Sequence, residues 1–284
     1  MDKLLPSRFS YVEGMTIRNT SIIGVPNDDK PAIGEMIIIV LLQKYGFLNA
    51  AMIQQEFNRK HRNIVAEKSL RKMQQRGLIE KYTLEYQDEN PSMDIYILSK
   101  GYRESSNDVI KKRNRYKYDM SNIAYILEHL ALNQWHMAIT GNKNVKEIYF
   151  NKTIMLDGKM SIIPSFIKYK TNFHSSLYLC CLPVCKGRLK KDLGRFIADI
   201  ALIADYLDSK SIEIRSYLIV IACESESQIE QISEVLSKVN ETNGRYYLYT
   251  IDTITADIDV DPLTLMYEVK KDNGVYRSTI ISLK

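Results

Sequence analysis

The sequence predicts a protein of the mixed α and β class with two domains. Its 284 residues correspond to about two domains at roughly 150 residues each. Hydrophobic residues make up 45% and charged residues 26%, which is typical of a globular protein with a buried core. Helical hydrophobic spacing dominates the first part of the chain, and strand-like runs alternate with helices after residue 143. We therefore expect a helical N-terminal domain that ends in a β-hairpin, and a C-terminal α/β domain.

Three helices are predicted in the N-terminal part. The run 35–45 is apolar on nearly all sides and should lie in a core, with Gly46 as its C-cap. Asn49 fits the N-cap of a second helix over 50–57. A third helix over 64–76 carries its apolar residues at helical spacing and ends before a glycine.

Two runs of alternating hydrophobicity follow the third helix, at 78–86 and 94–99, and a turn-forming Asn-Pro pair lies between them. Three helices followed by a two-stranded hairpin are the order of a winged helix-turn-helix domain, which we place at 31–103. Residues 1–30 show little periodicity, so an N-terminal arm is expected there.

A linker and an apolar connecting helix are predicted over 104–142, after the winged-helix region. A C-terminal domain at 143–284 follows. Its strand candidates are 147–150, 161–169, 177–184, 216–223 and 245–250, and its helix candidates are 190–208 and 227–240. This alternation predicts a small three-layer α/β domain.

Charge is distributed unevenly along the chain, whose formal net charge is +5. Residues 1–118 carry 20 basic and 14 acidic side chains, and 119–142 carry two acids and no Lys or Arg. Residues 143–191 carry 10 basic and 2 acidic side chains, whereas 192–284 carry 9 basic and 16 acidic ones. The asymmetry indicates a polyanionic partner for the basic parts and a solvated or partner-facing acidic end. Charges spread over exposed faces would give the same composition.

The basic residues concentrate around the third helix, where segment 59–81 has eight Lys or Arg and two acids. In a helix-turn-helix this helix lies in the major groove, and long cations and amides reach bases and phosphates from it. The candidate DNA contacts are Arg59, Lys60, Arg62, Asn63, Lys68, Arg71, Lys72, Gln75, Arg76 and Lys81. A second basic cluster adds Lys111, Lys112, Arg113 and Arg115. The alternatives are a winged helix that contacts protein and basic residues that are merely solvated.

Other chemistries find little support in the sequence. Four cysteines without a CxxC pair form neither a disulfide framework nor a structural zinc site, and no phosphate-binding glycine-rich loop is present. No run of 18 apolar residues occurs, so no membrane partner is expected. Cys180 and Cys181 are interpreted as core residues, and His129 and His136 as packing or capping residues. We expect a cytoplasmic protein without a cofactor, a metal ion or catalytic residues.

Three stretches resemble the bacterial replication-relaxation family, whose members are associated with plasmids and mobile elements and carry an N-terminal winged helix. They are Arg76-Gly77-Leu78-Ile79-Glu80-Lys81, Leu98-Ser99-Lys100-Gly101-Tyr102 and the helical run 128–138. The similarity covers roughly residues 34–255. It implies DNA binding in plasmid replication, relaxation or conjugative transfer.

Members of this family continue into a domain like the restriction-endonuclease core, which carries carboxylates on two adjacent strands. Here Ser165 stands where the first acid would be, and the strand 177–183 has none. No Asp or Glu occurs from Gly158 to Lys191. Because metal-dependent phosphodiester hydrolysis needs carboxylates to hold the cation, the resemblance implies a degenerate, non-catalytic nuclease-like domain.

The expected function is therefore non-enzymatic, sequence-specific binding of double-stranded DNA by a protein of a plasmid or mobile element. The acidic end would face a replication or transfer protein, or a second subunit of a homodimer. The alternatives are a transcriptional regulator with a C-terminal sensing domain and a metal-dependent nuclease.

Overall fold

The computed structural model describes residues 14–22, 30–60, 65–85, 92–105, 118–170, 176–184, 186–210, 216–240, 247–251, 262–272 and 275–282. Within these ranges the chain combines helices with two β-sheets, so the mixed α and β class is confirmed. It separates into two compact units, with the boundary between Ile126 and Leu127.

The N-terminal unit contains four helices and one sheet in its described part. The elements are β1 (Thr16–Asn19), α1 (Ile33–Tyr45), β2 (Phe47–Asn49), α2 (Ala50–Lys60), α3 (Ala66–Gln75), β3 (Ile79–Glu85), β4 (Met93–Leu98) and α4 (Lys100–Ser105). The sheet has the order β1-β3-β4-β2, and all neighbours are antiparallel. The three predicted helices and the hairpin are confirmed. Strand β1 lies in the segment predicted as an arm, where its four residues are too few to show an alternating pattern.

Helix α1 is covered on one side only. Ile38 and Leu42 are buried, as predicted, but Ile33 is 74% exposed, and Met36 and Val40 are exposed as well. The prediction that the whole helix lies in a core is therefore wrong. The helix ends at Gly46, whose φ is +83° and whose N–H donates to the Leu42 carbonyl at 2.9 Å, which confirms the predicted C-cap.

The first two stretches that carry the family resemblance, 76–81 and 98–102, touch each other. The Ser99 hydroxyl donates to the Gly77 carbonyl at 2.6 Å, and Glu80 Oε1 accepts from the Lys100 N–H at 3.0 Å. Gly77 adopts φ +64°, which lets α3 turn directly into β3. These bonds fix the end of the hairpin and the start of α4 against the turn after α3.

The C-terminal unit is built on a seven-stranded sheet with the order β11-β10-β9-β8-β7-β6-β5. Its elements are α5 (Ile123–Ile139), β5 (Val145–Leu156), β6 (Lys159–Lys170), β7 (Ser176–Pro183), α6 (Lys186–Ser209), β8 (Tyr217–Cys223), α7 (Glu226–Asn240), β9 (Tyr247–Ile251), a 3₁₀ turn (Pro262–Thr264), β10 (Met266–Asp272) and β11 (Val275–Ile281). Strand β8 is parallel to β7 and β9, and the other neighbours are antiparallel. The first five strands were predicted, whereas β10 and β11 were not.

Helices cover both faces of this sheet. Alternate strand residues such as Cys180 and Ile221 pack with α6 and α7, and Cys181 and Val220 pack with α5 on the other face. The predicted three layers are thus present, and α5, expected as a connector, places the fully buried Trp135 in the core of this unit. Both cysteines are buried, as predicted, and burial raises the pKa of each thiol.

Replacement of Gly46 by alanine is expected to lower the free energy of unfolding by at least about 1 kcal/mol. A Cβ atom there would overlap the ring of Tyr118, and the positive φ strains any L-residue. Gly194→Ala is the control, because this glycine lies inside α6 with nothing near its Cβ position, and the change should stabilise by roughly 0.5–1 kcal/mol. Urea unfolding of the full chain measures both stability changes. A Gly46→Ala protein that is as stable as wild type would contradict the expectation.

Candidate nucleic-acid interface

Helix α3 has one buried face and one charged, exposed face. Ala66, Leu70, Met73 and Gln74 are buried. The exposed side chains include four of the predicted contacts: Lys68, Arg71, Lys72 and Gln75. In the described part of the chain, none of these four side chains makes a hydrogen bond or an ion pair. The structure therefore brings these predicted residues together on one helix face, available to a ligand.

The start of α3 is held by α2. The Ala66 N–H, which has no partner within its own helix, donates to Gln54 Oε1 at 2.8 Å, and Gln54 Nε2 donates to Asn58 Oδ1 at 2.8 Å. Helix α2 itself is capped as predicted, since the Met52 N–H donates to Asn49 Oδ1 at 2.8 Å. With Met73 fully buried beneath it, α3 presents its outer face from a fixed backbone.

A cleft of about 570 Å³ adjoins this face within the N-terminal unit. It is lined by residues of α2 and α3, by β3 and β4, and by Ile22. Arg71 and Lys81 contribute positive charge, and Glu67 and Asp94 contribute negative charge. The cleft extends the exposed face of α3 towards the hairpin and makes this side of the unit concave.

Lys81, the predicted contact on the hairpin, is half-buried and paired. Its Nζ lies 2.8 Å from Asp94 Oδ2, and Asp94 Oδ1 also accepts from the Thr83 hydroxyl at 3.0 Å. The neighbouring Tyr96 is buried, and burial, followed by the Asp94 and Glu67 carboxylates, raises its pKa to about 12. Lys81 thus lines the cleft with a charge that Asp94 largely offsets, and the Tyr96 phenol stays protonated at neutral pH.

Two predicted contacts, Arg76 and Arg59, already form ion pairs within the N-terminal unit. Arg76 Nη1 lies 2.6 Å from Glu35 Oε2, and their side chains are only 16% and 4% exposed. The same carboxylate oxygen accepts from the Ala32 N–H at 2.9 Å, so the pair joins the end of α3 to the start of α1. Arg59 is half-buried and pairs with Glu56 at 2.9 Å. Glu35 and Arg76 are 41 positions apart, so sequence periodicity did not reveal this pair, and we leave Arg76 out of the proposed contact surface.

The structure does not test the remaining predicted contacts. Lys60 is the last residue of α2. Six of them, Arg62, Asn63, Lys111, Lys112, Arg113 and Arg115, lie outside the described residues. One residue that the sequence reasoning missed is Glu67, which is exposed among the cations of α3; its spacing of four from Arg71 was the available signal.

In the C-terminal unit, the position at which the family resemblance would require an acid is closed. Ser165 on β6 is fully buried, and its hydroxyl lies 2.5 Å from His136 Nε2 on α5. Cys181 is its neighbour on β7, and the Phe150 ring on β5 meets the His136 ring edge to face, 4.2 Å between centroids. His136 is thus a packing residue, as predicted. Burial also lowers the pKa of His129 to about 4, so that imidazole is neutral at pH 7.

Two findings concern the described residues as a whole. No group of three or more His, Cys, Asp or Glu side chains among them is arranged to hold a metal ion. In the same residues, no helix combines the length and the apolar character needed to cross a membrane.

No protein-family model, no curated protein and no solved structure matches this chain. The interpretation of the α3 surface therefore depends on its own geometry and charge.

Proposed function

We propose that this protein binds double-stranded DNA sequence-specifically and that α3 is its recognition helix. The observation that carries the proposal is the exposed set Lys68, Arg71, Lys72 and Gln75 on a helix whose opposite face is anchored in a core. Arginine and lysine donate to guanine and to phosphates, and glutamine pairs with adenine. A single α-helix fits the major groove of B-form DNA.

The N-terminal unit supplies a framework suited to this role. Its order α1-β2-α2-α3-β3-β4, with β2 paired to β4 and β4 paired to β3, supports a winged helix-turn-helix assignment. In such a domain α2 and the hairpin flank the recognition helix, so phosphates on either side can be contacted.

The C-terminal unit fits a non-hydrolytic role. The run α5-β5-β6-β7-α6-β8, an antiparallel meander followed by a parallel strand, supports a restriction-endonuclease-like core. The buried Ser165–His136 hydrogen bond occupies the place that the resemblance assigns to a metal-binding acid. We propose that this unit is a nuclease-like domain without catalysis, and that its acidic end, residues 192–284, faces a partner protein.

The family resemblance extends the proposal to plasmid or mobile-element DNA, in replication, relaxation or conjugative transfer. Binding of the full-length protein across the element that encodes it would distinguish these roles from transcriptional control. Sites within a replication or transfer origin support the first role, and sites confined to promoters support a regulator.

Binding to duplex DNA is expected to weaken steeply with salt. The two exposed lysines on α3, if each neutralises one phosphate, would give a slope of about −2 for the logarithm of the association constant against the logarithm of salt concentration. Fluorescence anisotropy of the full chain with labelled duplexes, from 50 to about 300 mM KCl, measures the slope. Absent binding, or binding that does not respond to salt, would refute the proposed function.

A further inference from the structure

One acidic side chain lies within the cationic face of α3. Glu67 is exposed in the first turn of the helix, directly before Lys68 and four residues before Arg71. Glu67 and Arg71 line the same cleft. Residues four apart on a helix lie on one face, with their Cβ atoms about 6 Å apart. A ligand that contacts Arg71 from this side therefore meets the Glu67 carboxylate as well.

Glu67 differs from the other carboxylates that the structure describes between α2 and β4. Glu56 is paired with Arg59, Asp94 with Lys81 and Glu85 with Arg18, and Glu80 accepts a backbone hydrogen bond. Within the described residues, the Glu67 side chain makes neither an ion pair nor a hydrogen bond. Its carboxylate is thus exposed at the N-terminal end of α3, the end that contacts bases under the proposed function.

An unpaired carboxylate weakens binding to phosphates, because the two negative charges repel each other and a phosphate of the DNA backbone has no hydrogen-bond donor. The N-terminal residues of a recognition helix contact base edges, where donors do exist. In the major groove the base donors are the amino groups of cytosine N4 and adenine N6. Adenine places its N7 acceptor beside N6, which repels a carboxylate, whereas cytosine carries no acceptor in the major groove.

We propose, on the basis of the proposed DNA-binding function, that Glu67 determines specificity by accepting a hydrogen bond from cytosine N4. Arg71 donates to guanine O6 and N7 one or two base pairs away, since about 6 Å along the helix spans less than two base-pair rises of roughly 3.4 Å. The protein therefore selects sites that contain a C·G pair at each of these two positions. Glu67 also lowers affinity for DNA that lacks the cytosine.

Selection from random duplexes with the full-length protein, followed by titration of the selected duplex and of single-base variants, tests the proposal. Wild type should lose about tenfold in affinity when the cytosine is replaced by thymine. Glu67→Ala should bind both duplexes alike and bind unselected DNA more tightly than wild type. Glu67→Gln, which is nearly the same size, should move the preference from cytosine to adenine, because a glutamine amide pairs with adenine N6 and N7.

Glu230→Ala is the matched control, since Glu230 is an exposed carboxylate on helix α7 of the C-terminal unit, and it should change neither preference nor affinity. A wild-type protein that binds no duplex would overturn the proposed function and this inference together. A wild-type protein that binds selectively, with the same base preference retained in both Glu67 variants, would overturn the role of Glu67 while DNA binding stands.

Discussion

The double substitution Arg71→Ala and Lys72→Ala is expected to weaken binding to the selected duplex by roughly 100-fold or more. A hydrogen-bonded contact between an arginine and a base edge contributes about 1–3 kcal/mol to binding, and the loss of a phosphate contact lowers the affinity further. Both side chains are exposed and make no hydrogen bond or ion pair in the described part of the chain, so the fold should be unaffected. A loss of binding would therefore result from the changed α3 surface and not from a destabilised fold.

The measurement is anisotropy at fixed salt, together with the salt slope. The slope should become shallower by about one for each phosphate contact that is lost. The control is Lys270→Ala with Arg277→Ala, a lysine and an arginine that are both exposed and lie opposite each other on β10 and β11. An equal loss of affinity in the control, or undiminished binding by the α3 variant, would show that α3 is not the recognition helix.

A large loss of folding stability is expected when the ion pair that joins α1 to α3 is broken. Glu35→Ala should lower the free energy of unfolding by about 3 kcal/mol, because it leaves the mostly buried Arg76 guanidinium without its carboxylate. The Ala32 N–H at the start of α1 loses its acceptor in the same variant. Urea unfolding of the full chain, monitored by circular dichroism, provides the measurement.

A double-mutant cycle separates the pair from its surroundings. The variant that carries both Glu35→Ala and Arg76→Ala should be more stable than the sum of the two single losses predicts, since no buried charge remains unpaired. Glu85→Ala, which breaks the exposed pair with Arg18, should cost less than about 1 kcal/mol. If Arg76→Ala leaves stability unchanged but weakens DNA binding as strongly as the α3 double variant, Arg76 belongs to the interface after all.

The local spacing of hydrophobic residues was sufficient to predict most helices and strands of this protein. The spacing of Leu70 and Met73 determined which side of α3 is buried, and by exclusion which side presents Lys68, Arg71, Lys72 and Gln75. Alternating hydrophobicity identified the β3–β4 hairpin and the buried strands of the C-terminal sheet. Short or edge strands escaped detection: β1 has four residues, and β10 and β11 carry charged side chains at the edge of their sheet.

The sequence by itself determined the order of elements and the cationic character of α3, because both depend on residues within one or two helical turns of each other. Only the tertiary structure decided which of those cations are available. Glu35 and Arg76 are 41 positions apart, and His136 and Ser165 are 29 apart, so periodicity carries no information about either contact. The packing of α1 on α3 thus removes Arg76 from the surface, whereas Arg71 and Lys72 stay exposed.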